Sequence, residues 1–291
     1  MRINMRHVYG WLLLLPGFTL IVAFTHYPTV TTFINSFFSN QTVIRPKKFV
    51  GLSNYEYMLN DPVFLQTFKN TIYFALTTVP LSIALALAMA VFVQEKIRGR
   101  SVVRLAYFTP TILPMVAVAN IWLFFYAPEI GLINQIFQYF NLPQQNFLGD
   151  TNMVLEATIV MTVWKEAGFF MIFYLAALQS IPKELNEAAK IEGASAWTSF
   201  WKITFPLLMP TTFFVMVNAL INSFKMIDHL FILTKGGPDN ASNLLLYYIY
   251  DVAFSFFDYA YAATLTIVLL ALLIVVSLIQ FGLVERKIHY K

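Results

Sequence analysis

The sequence predicts an all-α protein that crosses a membrane several times. Of its 291 residues, 58% are hydrophobic and only 12% are charged, whereas soluble domains carry about 25% charged residues. Apolar stretches recur along the chain, each close to the ~20 residues that a helix needs to cross the hydrocarbon layer. Aromatic residues reach 17%, which suits membrane interfaces, where Trp and Tyr side chains lie at headgroup level.

Six transmembrane helices are predicted from these stretches. In chain order they cover about Tyr9–Tyr27, Phe68–Val93, Val102–Tyr126, Met153–Leu178, Phe205–Phe224 (with an alternative end at Thr234) and Tyr261–Val284. The first resembles a signal peptide, because Arg2 and Arg6 precede it. No small-residue cleavage site follows it, and more spans do, so we expect a retained helix.

Lys and Arg residues set the expected orientation, because cytoplasmic loops of membrane proteins are enriched in them. With the N-terminus inside, twelve Lys and Arg residues fall on the inner side and six on the outer side, with Lys165 inside a span. Both termini are therefore predicted to be cytoplasmic, and the loop that contains Glu187 falls on the same side.

Two segments on the predicted outer side are more than plain loops. The segment Phe38–Thr67 is polar, and Leu244–Phe257 is a run of apolar and aromatic residues that contains Asp251. The second segment is too short to span easily, so we expect an interfacial helix or a buried extracytoplasmic helix.

A polar island lies between the fourth and fifth spans, at Glu187, Ala188, Ala189 and onward to Gly193. Pro182 suits a helix start, the small alanines allow another backbone to approach, and glycine can end a helix in the left-handed conformation. A second short helix is expected from Ala194 to Lys202. The island is either an ordinary amphipathic connector or a compact plug for the cleft of a partner.

The spacing in this island resembles a known family. The pattern Glu-Ala-Ala, three residues, Gly, nine residues, Ile, one residue, Leu-Pro is typical of binding-protein-dependent ABC importer permeases. The chain matches it at Glu187, Ala188, Ala189, Gly193, Ile203 and Pro206. It departs at Phe205, where the family usually has Leu, and this change keeps an apolar side chain.

Other stretches resemble the sugar-importing branch, of the maltose and glycerol-3-phosphate type. They include Phe49–Tyr55, Asn70-Thr71, Pro110 with Pro114, Trp122, Gly131–Asn134, Ala177–Pro182, Asn222–Lys225, Leu233–Pro238 and Gln280–Tyr290. The last of these resembles the first permease of glycerol-3-phosphate importers in particular.

The resemblance implies a type I ABC importer permease fold in a bacterial cytoplasmic (inner) membrane. Residues 1–66 would hold the first helix and an extracytoplasmic segment, and residues 67–291 the transmembrane core with a cytoplasmic coupling loop at 181–206. The implied partners are a second homologous permease, a nucleotide-binding ATPase dimer and an extracytoplasmic solute-binding protein.

The chain itself lacks the residues that ATP hydrolysis requires. It contains no Gly-x-x-x-x-Gly-Lys-Ser/Thr phosphate loop, so ATP and Mg²⁺ are expected on the partner ATPase and no cofactor on this chain. The four His residues are scattered and cysteine is absent, so no metal spacing is visible. The net charge of +4 is attributed to cytoplasmic loops rather than to binding of nucleic acid.

Polar residues inside the spans are candidates for a solute pathway, because charged groups there are costly to insert. The candidates are Asn218, Asn222, Ser223, Lys225, Asp228 and, in the fourth span, Lys165. Asn218, Asn222 and Lys225 have the spacing of one helix face. Glu166 adjoins Lys165, but neighbours on a helix do not share a face, so each should meet another helix or water. Polar contacts between helices are the alternative explanation for all of them.

Two other functional classes stay open at this point. An ion-coupled secondary transporter would be expected to show inverted repeats and buried ion ligands, and no repeat is visible. A membrane-embedded enzyme would need a catalytic constellation, and none stands out. The solute also stays open between a sugar, a polyol and glycerol-3-phosphate.

Overall fold

The computed structural model describes residues 5–41, 46–94 and 98–284. Almost all of the regular structure there is helical, apart from one isolated bridge between Phe38 and Phe49. The α-helices are α1 Met5–Ile21, α2 Tyr27–Asn35, α3 Ser53–Asn60, α4 Pro62–Gln94, α5 Arg100–Ile112, α6 Met115–Phe125, α7 Leu132–Tyr139, α8 Val154–Ser180, α9 Lys183–Ile191, α10 Ala196–Ser199, α11 Phe205–Lys225, α12 Asp228–Leu233, α13 Leu245–Tyr250 and α14 Tyr259–Val284.

Among the described residues, five helical segments are long and apolar enough to cross a membrane, or six if the bent pair α5–α6 counts as one span. The predicted fold class is therefore confirmed. The predicted second, fourth and sixth spans correspond to α4, α8 and α14 within a few residues, except that α4 begins earlier, at Pro62. Six of the basic residues used for the orientation, namely Arg2, Arg45, Lys96, Arg286, Lys287 and Lys291, lie outside the described residues.

The first span is longer than predicted. Its helical path continues past Tyr27 through a π-helical segment, Val22–His26, and on through α2 to Asn35. The prediction ended this span at about Tyr27, where the apolar run gives way to polar residues and Pro28. A proline inside a helix clashes with the carbonyl four residues earlier and cannot donate a hydrogen bond to it. The π-helical segment lies directly before Pro28 and contains Phe24, the residue of that carbonyl, and the helix continues past the proline.

The third span, predicted as one stretch from Val102 to Tyr126, is broken into two helices. It consists of α5 and α6, which meet at an angle of 103°. Leu113 and Pro114 are both extended at this junction, with ψ angles of 136° and 144°. Proline disfavours the helical conformation in the residue before it, so Pro114 explains why the helix ends at Ile112 and restarts at Met115.

One compact unit consists of the described residues of Met1–Pro62 together with Ile249–Ala271. Within it, Asn54 Nδ2 donates to the carbonyls of Ser36 and Phe38 at 2.8 and 2.9 Å. The Tyr261 hydroxyl donates to Asp61 Oδ2 at 2.6 Å. These side-chain bonds join α3 to the turn after α2 and to the start of α14, so they hold the described part of the predicted polar segment, up to Asp61, within this unit.

The second unit comprises the described residues of Val63–Tyr248 and Leu272–Lys291. Its main core lies where α4, α8 and α11 pack together around fully buried side chains such as Ala86, Tyr174 and Leu208. A small residue permits close packing of α5 and α8. A Cβ atom added to Gly168 would lie 2.1 Å from the carbonyl oxygen of Tyr107, so only glycine fits there.

The loop before α13 is held by side chains of α4. Asn70 Nδ2 donates to the carbonyls of Asn240, Ala241 and Asn243 at 2.9–3.1 Å. The predicted helix in Leu244–Phe257 is confirmed as α13, which continues into a π-helical turn at Asp251–Ser255.

Candidate functional site

The polar island forms the two short helices that the sequence predicted. Helix α9 begins after Pro182, whose φ and ψ of −58° and 131° place it just outside the helix. At its end, Gly193 has φ +79°, the left-handed conformation that glycine adopts most readily. Gly193 N donates to Lys190 O at 3.1 Å and Ala194 N to Ala189 O at 2.9 Å. This pair of bonds is the Schellman motif, which satisfies the last carbonyls of the helix.

The second short helix leads directly into the fifth span. Ser195 is the N-cap of α10, and its Oγ accepts a hydrogen bond from Thr198 N at 3.1 Å. The helical path continues through a π-helical segment, Phe200–Thr204, into α11. Ile203 is half-buried in this segment and the exposed Pro206 lies in the first turn of α11. Helix α10 therefore has a continuous helical connection to α11.

A side-chain hydrogen bond joins the two short helices. Ser199 Oγ donates to Asn186 Oδ1 at 2.7 Å. Ala189 is buried at 8% exposure, whereas Glu187 and Ala188 are exposed. The two alanines of the motif thus lie in different environments: Ala189 packs within the chain, and Ala188 leaves an open surface.

Large apolar side chains are exposed on this polar loop. Ile191 is 87% exposed, Trp197 73% and Trp201 44%. The two indole rings pack edge to face with centroids 5.6 Å apart. Exposed apolar side chains that group together mark interaction surfaces more often than scattered ones do, so this surface suits a docking partner.

A cleft of about 620 Å³ lies beside α9. Glu187, Lys183 and Lys190 line it from α9, and Arg100 and Arg104 line it from α5. The guanidinium atoms Nε of Arg100 and Nε and Nη2 of Arg104 are buried without a hydrogen-bond partner among the described residues. The cleft lies at the end of the molecule that carries the loop, and the charged side chains that line it are therefore predominantly basic.

Lys165 has a defined partner in the broken third span. Its Nζ donates to Leu113 O at 2.9 Å and to Pro110 O at 3.2 Å. These carbonyls lie at the end of α5, where the break removes their helical partners. The expectation that Lys165 would meet another helix rather than Glu166 is confirmed.

Glu166 makes its contact on another side of α8. Its Oε2 accepts a hydrogen bond from Asn222 Nδ2 on α11 at 3.0 Å. The pair lines a small cavity of about 10 Å³, and the other polar side chains lining it are Thr78, Ser82, Thr162 and Ser223. The structure therefore gathers polar groups from α4, α8 and α11 at one point.

The remaining pathway candidates differ in whether they lie at this cluster. Asn218 Nδ2 donates to Phe214 O in its own helix at 2.8 Å. Ser223 is buried, and its hydroxyl donates to Leu220 O at 2.8 Å. Lys225 and Asp228 are exposed and do not line the cavity. Of the six predicted pathway residues, only Asn222 and Ser223 meet there.

Sequence reasoning missed Glu166, Thr78, Ser82 and Thr162 as members of one site. A weak signal was present, because Thr162 and Glu166 are four residues apart, as are Thr78 and Ser82, and such pairs share a helix face. Nothing in the sequence showed that these two faces would meet each other and Asn222.

Residues 78–290 match the family model described as "Binding-protein-dependent transport system inner membrane component". The chain is 31% identical over 281 residues to the sn-glycerol-3-phosphate transport system permease protein UgpA of Agrobacterium fabrum, with 96% of each chain covered. It is 32% identical over 287 residues to the lactose transport system permease protein LacF of Rhizobium radiobacter, with 96% of this chain and 95% of the relative covered.

The fold is also shared with a solved structure. A chain in the crystal structure of a bacterial alginate ABC transporter, in complex with an alginate pentasaccharide-bound periplasmic protein, superposes with a TM-score of 0.83. That match covers 97% of this chain and 96% of the other at 23% identity. With the helical architecture and the matched family model, these similarities show that the chain belongs to the family of inner membrane permease components of binding-protein-dependent ABC transport systems.

Proposed function

We propose that this permease forms one half of the pathway by which a sugar, polyol or glycerol phosphate enters the cell. A second, related permease completes the pathway, and an extracytoplasmic solute-binding protein delivers the cargo. The relatives' transport of lactose and of sn-glycerol-3-phosphate supports this range of solutes. Both termini lie on the cytoplasmic side, as the excess of Lys and Arg there indicates.

ATP hydrolysis belongs to a separate nucleotide-binding subunit, which carries ATP and Mg²⁺. The observation that carries this proposal is the coupling loop: it exposes the large apolar side chains of Ile191, Trp197 and Trp201, and the rings of the two tryptophans pack together. The loop continues as helix into α11. Closure of the ATPase dimer would therefore push on α11 through a stiff connection.

The motif residues have distinct roles in this proposal. Glu187 and Ala188 contact the ATPase, and Ala189 packs α9 against the rest of the chain. Gly193 sets the turn between the two short helices, and Ile203 and Pro206 join the loop to α11. The partly buried hydrogen bond from Ser199 to Asn186 keeps the two short helices together, so that they move as one body.

The test is affinity purification of the tagged subunit from its native membrane in mild detergent, with identification of the proteins that co-purify. We expect a second permease and a nucleotide-binding protein with ATPase activity. A lone subunit without ATPase in several detergents, with uptake that resists ATP depletion but is sensitive to an ionophore, would instead support an ion-coupled secondary transporter.

A further inference from the structure

The cavity between α4, α8 and α11 has a distinctive hydrogen-bonding character. It holds the carboxyl group of Glu166, the amide of Asn222 and hydroxyl groups from both α4 and α8. Glu166 lies about halfway along α8, and Ser82 lies well inside α4. Ionisable groups at such positions are rare in spanning helices, and those that occur there commonly mark solute or ion pathways.

Most of the hydroxyl hydrogens around the cavity are already in use. Thr78 Oγ1 donates to Phe74 O at 2.6 Å, Thr162 Oγ1 to Thr158 O at 2.8 Å, and Ser223 Oγ to Leu220 O at 2.8 Å. A hydroxyl that donates to its own helix keeps its oxygen lone pairs free to accept. These three side chains therefore offer acceptors to an occupant.

The other polar atoms around the cavity add to this excess of hydrogen-bond acceptors. Glu166 offers carboxyl oxygens, and Asn222 offers its amide oxygen once one amide hydrogen is used on Glu166. The donors that remain are the Ser82 hydroxyl, for which no hydrogen bond is found among the described residues, and the second amide hydrogen of Asn222. Among the residues that the structure describes, no basic side chain lines the cavity, and the ammonium of Lys165 is directed to the carbonyls of Pro110 and Leu113 instead.

From this imbalance of donors and acceptors we infer that the permease carries a neutral polyhydroxylated solute, and that Glu166 with Asn222 selects it by accepting hydrogen bonds from its hydroxyl groups. Sugar and polyol hydroxyls supply the donors that the cavity lacks. A phosphate or carboxylate group would meet further acceptors and a carboxyl group, without a cation to balance it. The inference rests on the proposed function and narrows its range of solutes by disfavouring glycerol-3-phosphate.

The size of the cavity determines when this contact forms. At about 10 Å³ it has room for roughly one water-sized group, which is too small for a sugar. The helices α4, α8 and α11 must therefore separate before the cargo enters, and the hydrogen bond between Asn222 and Glu166 is exchanged for bonds to the cargo.

The first test is the charge of the cargo. The assembled importer with its binding protein is placed in lipid vesicles and offered labelled lactose, maltose, glycerol, sn-glycerol-3-phosphate and glucuronate. We expect a neutral probe to accumulate with ATP at least about tenfold faster than either anion, as for loss of one or two hydrogen bonds at a desolvated site. Accumulation of an anion at the same or a higher rate overturns the inference.

A second measurement identifies the natural cargo without a choice of probe. Native mass spectrometry of the binding protein that co-purifies with the importer gives the mass and charge of the solute that it carries. A neutral solute supports the inference and an anionic solute overturns it. A bound glycerol phosphate would overturn the inference and leave the proposed function intact, whereas purification without an ATPase or a second permease would overturn the proposed function.

The third test assigns the role of Glu166. In Glu166→Gln an amide with two N–H donors replaces a carboxyl group, so the apparent KM for the neutral probe should rise about tenfold. The ratio of anion uptake to neutral uptake should also rise. Glu156→Gln is the matched control, since Glu156 is exposed on α8 outside this cavity. An unchanged KM and ratio in Glu166→Gln would exclude a selective role.

Discussion

The ammonium of Lys165 lies 2.9 Å from the carbonyl oxygen of Leu113, across 52 residues of chain. This contact places the positive charge of Lys165, on α8, at the point where the third span bends by 103°. Carbonyls freed by a break inside a membrane must find other donors. Lys165 therefore supports a distortion that Pro114 creates.

Replacement of Lys165 by methionine should destabilise the protein. The methionine side chain is similar in length but offers no donor, so the carbonyls of Pro110 and Leu113 lose their partner at a cost of about 1–3 kcal/mol. The measurement is the unfolding midpoint in detergent, and Lys165→Arg is the control that keeps the donors. If the methionine variant unfolds like the unaltered protein, the bend needs no support from Lys165.

Gly168→Ala should loosen the packing of α5 on α8. The added methyl group would lie 2.1 Å from Tyr107 O, so backbone must move, at a cost of about 1–3 kcal/mol. Thermal unfolding in detergent measures the effect. Gly17→Ala in α1 is the control, because an added Cβ there has no neighbour within 4 Å and alanine favours helix. Equal stability of the two variants would contradict the close approach.

Ala188→Trp should uncouple ATP hydrolysis from uptake. Ala188 is exposed on α9, so the isolated permease should fold normally, while an indole group would keep the ATPase from docking. We expect uptake and the stimulation of ATPase by loaded binding protein to fall on the order of tenfold, as for loss of an interface hot spot. Ala188→Ser, which changes little in size, is the control.

Substitutions at Gly193 separate the effect of added negative charge from the effect of an added side chain. Its Cβ would meet nothing within 4 Å, but its φ is +79°. Gly193→Asn keeps the turn, because asparagine tolerates this conformation. Gly193→Asp introduces a side chain of similar size that also carries a negative charge. We expect the Asp variant to uncouple more strongly than the Asn variant in the same ATPase assay. Normal coupled ATPase in both Gly193→Asp and Ala188→Trp would remove the loop from the mechanism.

Asn70→Asp should release the loop before α13. The substitution keeps the shape of the side chain but removes the Nδ2 donor that bonds to the carbonyls of Asn240, Ala241 and Asn243. Hydrogen exchange over residues 234–243 should rise, and stability should fall by about 1–3 kcal/mol. Asn120→Asp is the control, since Asn120 is exposed and donates only to Val116 O in its own helix. Unchanged exchange in Asn70→Asp would show that the loop is held by other contacts.

Local patterns in the sequence were sufficient to predict much of this structure. The spans follow from runs of apolar residues, because hydrocarbon requires every backbone group to be bonded within its own helix. The coupling loop follows from Pro182 and Gly193, whose backbone preferences act within one turn of helix. Local patterns did not show that Pro28 and Pro114 would affect their helices differently. A π-helical segment precedes Pro28 and the helix continues, whereas the chain bends at Pro114.

The sequence by itself determined the helical membrane fold, the position of the coupling loop and the family, because these depend on spacing along the chain. Only the tertiary structure decided the partners of Lys165 and Glu166. These adjacent residues bond to α5 and α11 respectively, since neighbours on a helix point in different directions. Packing of three helices brings Glu166, Asn222 and Ser82 to one cavity, and no spacing within a single helix encodes which faces of separate helices meet.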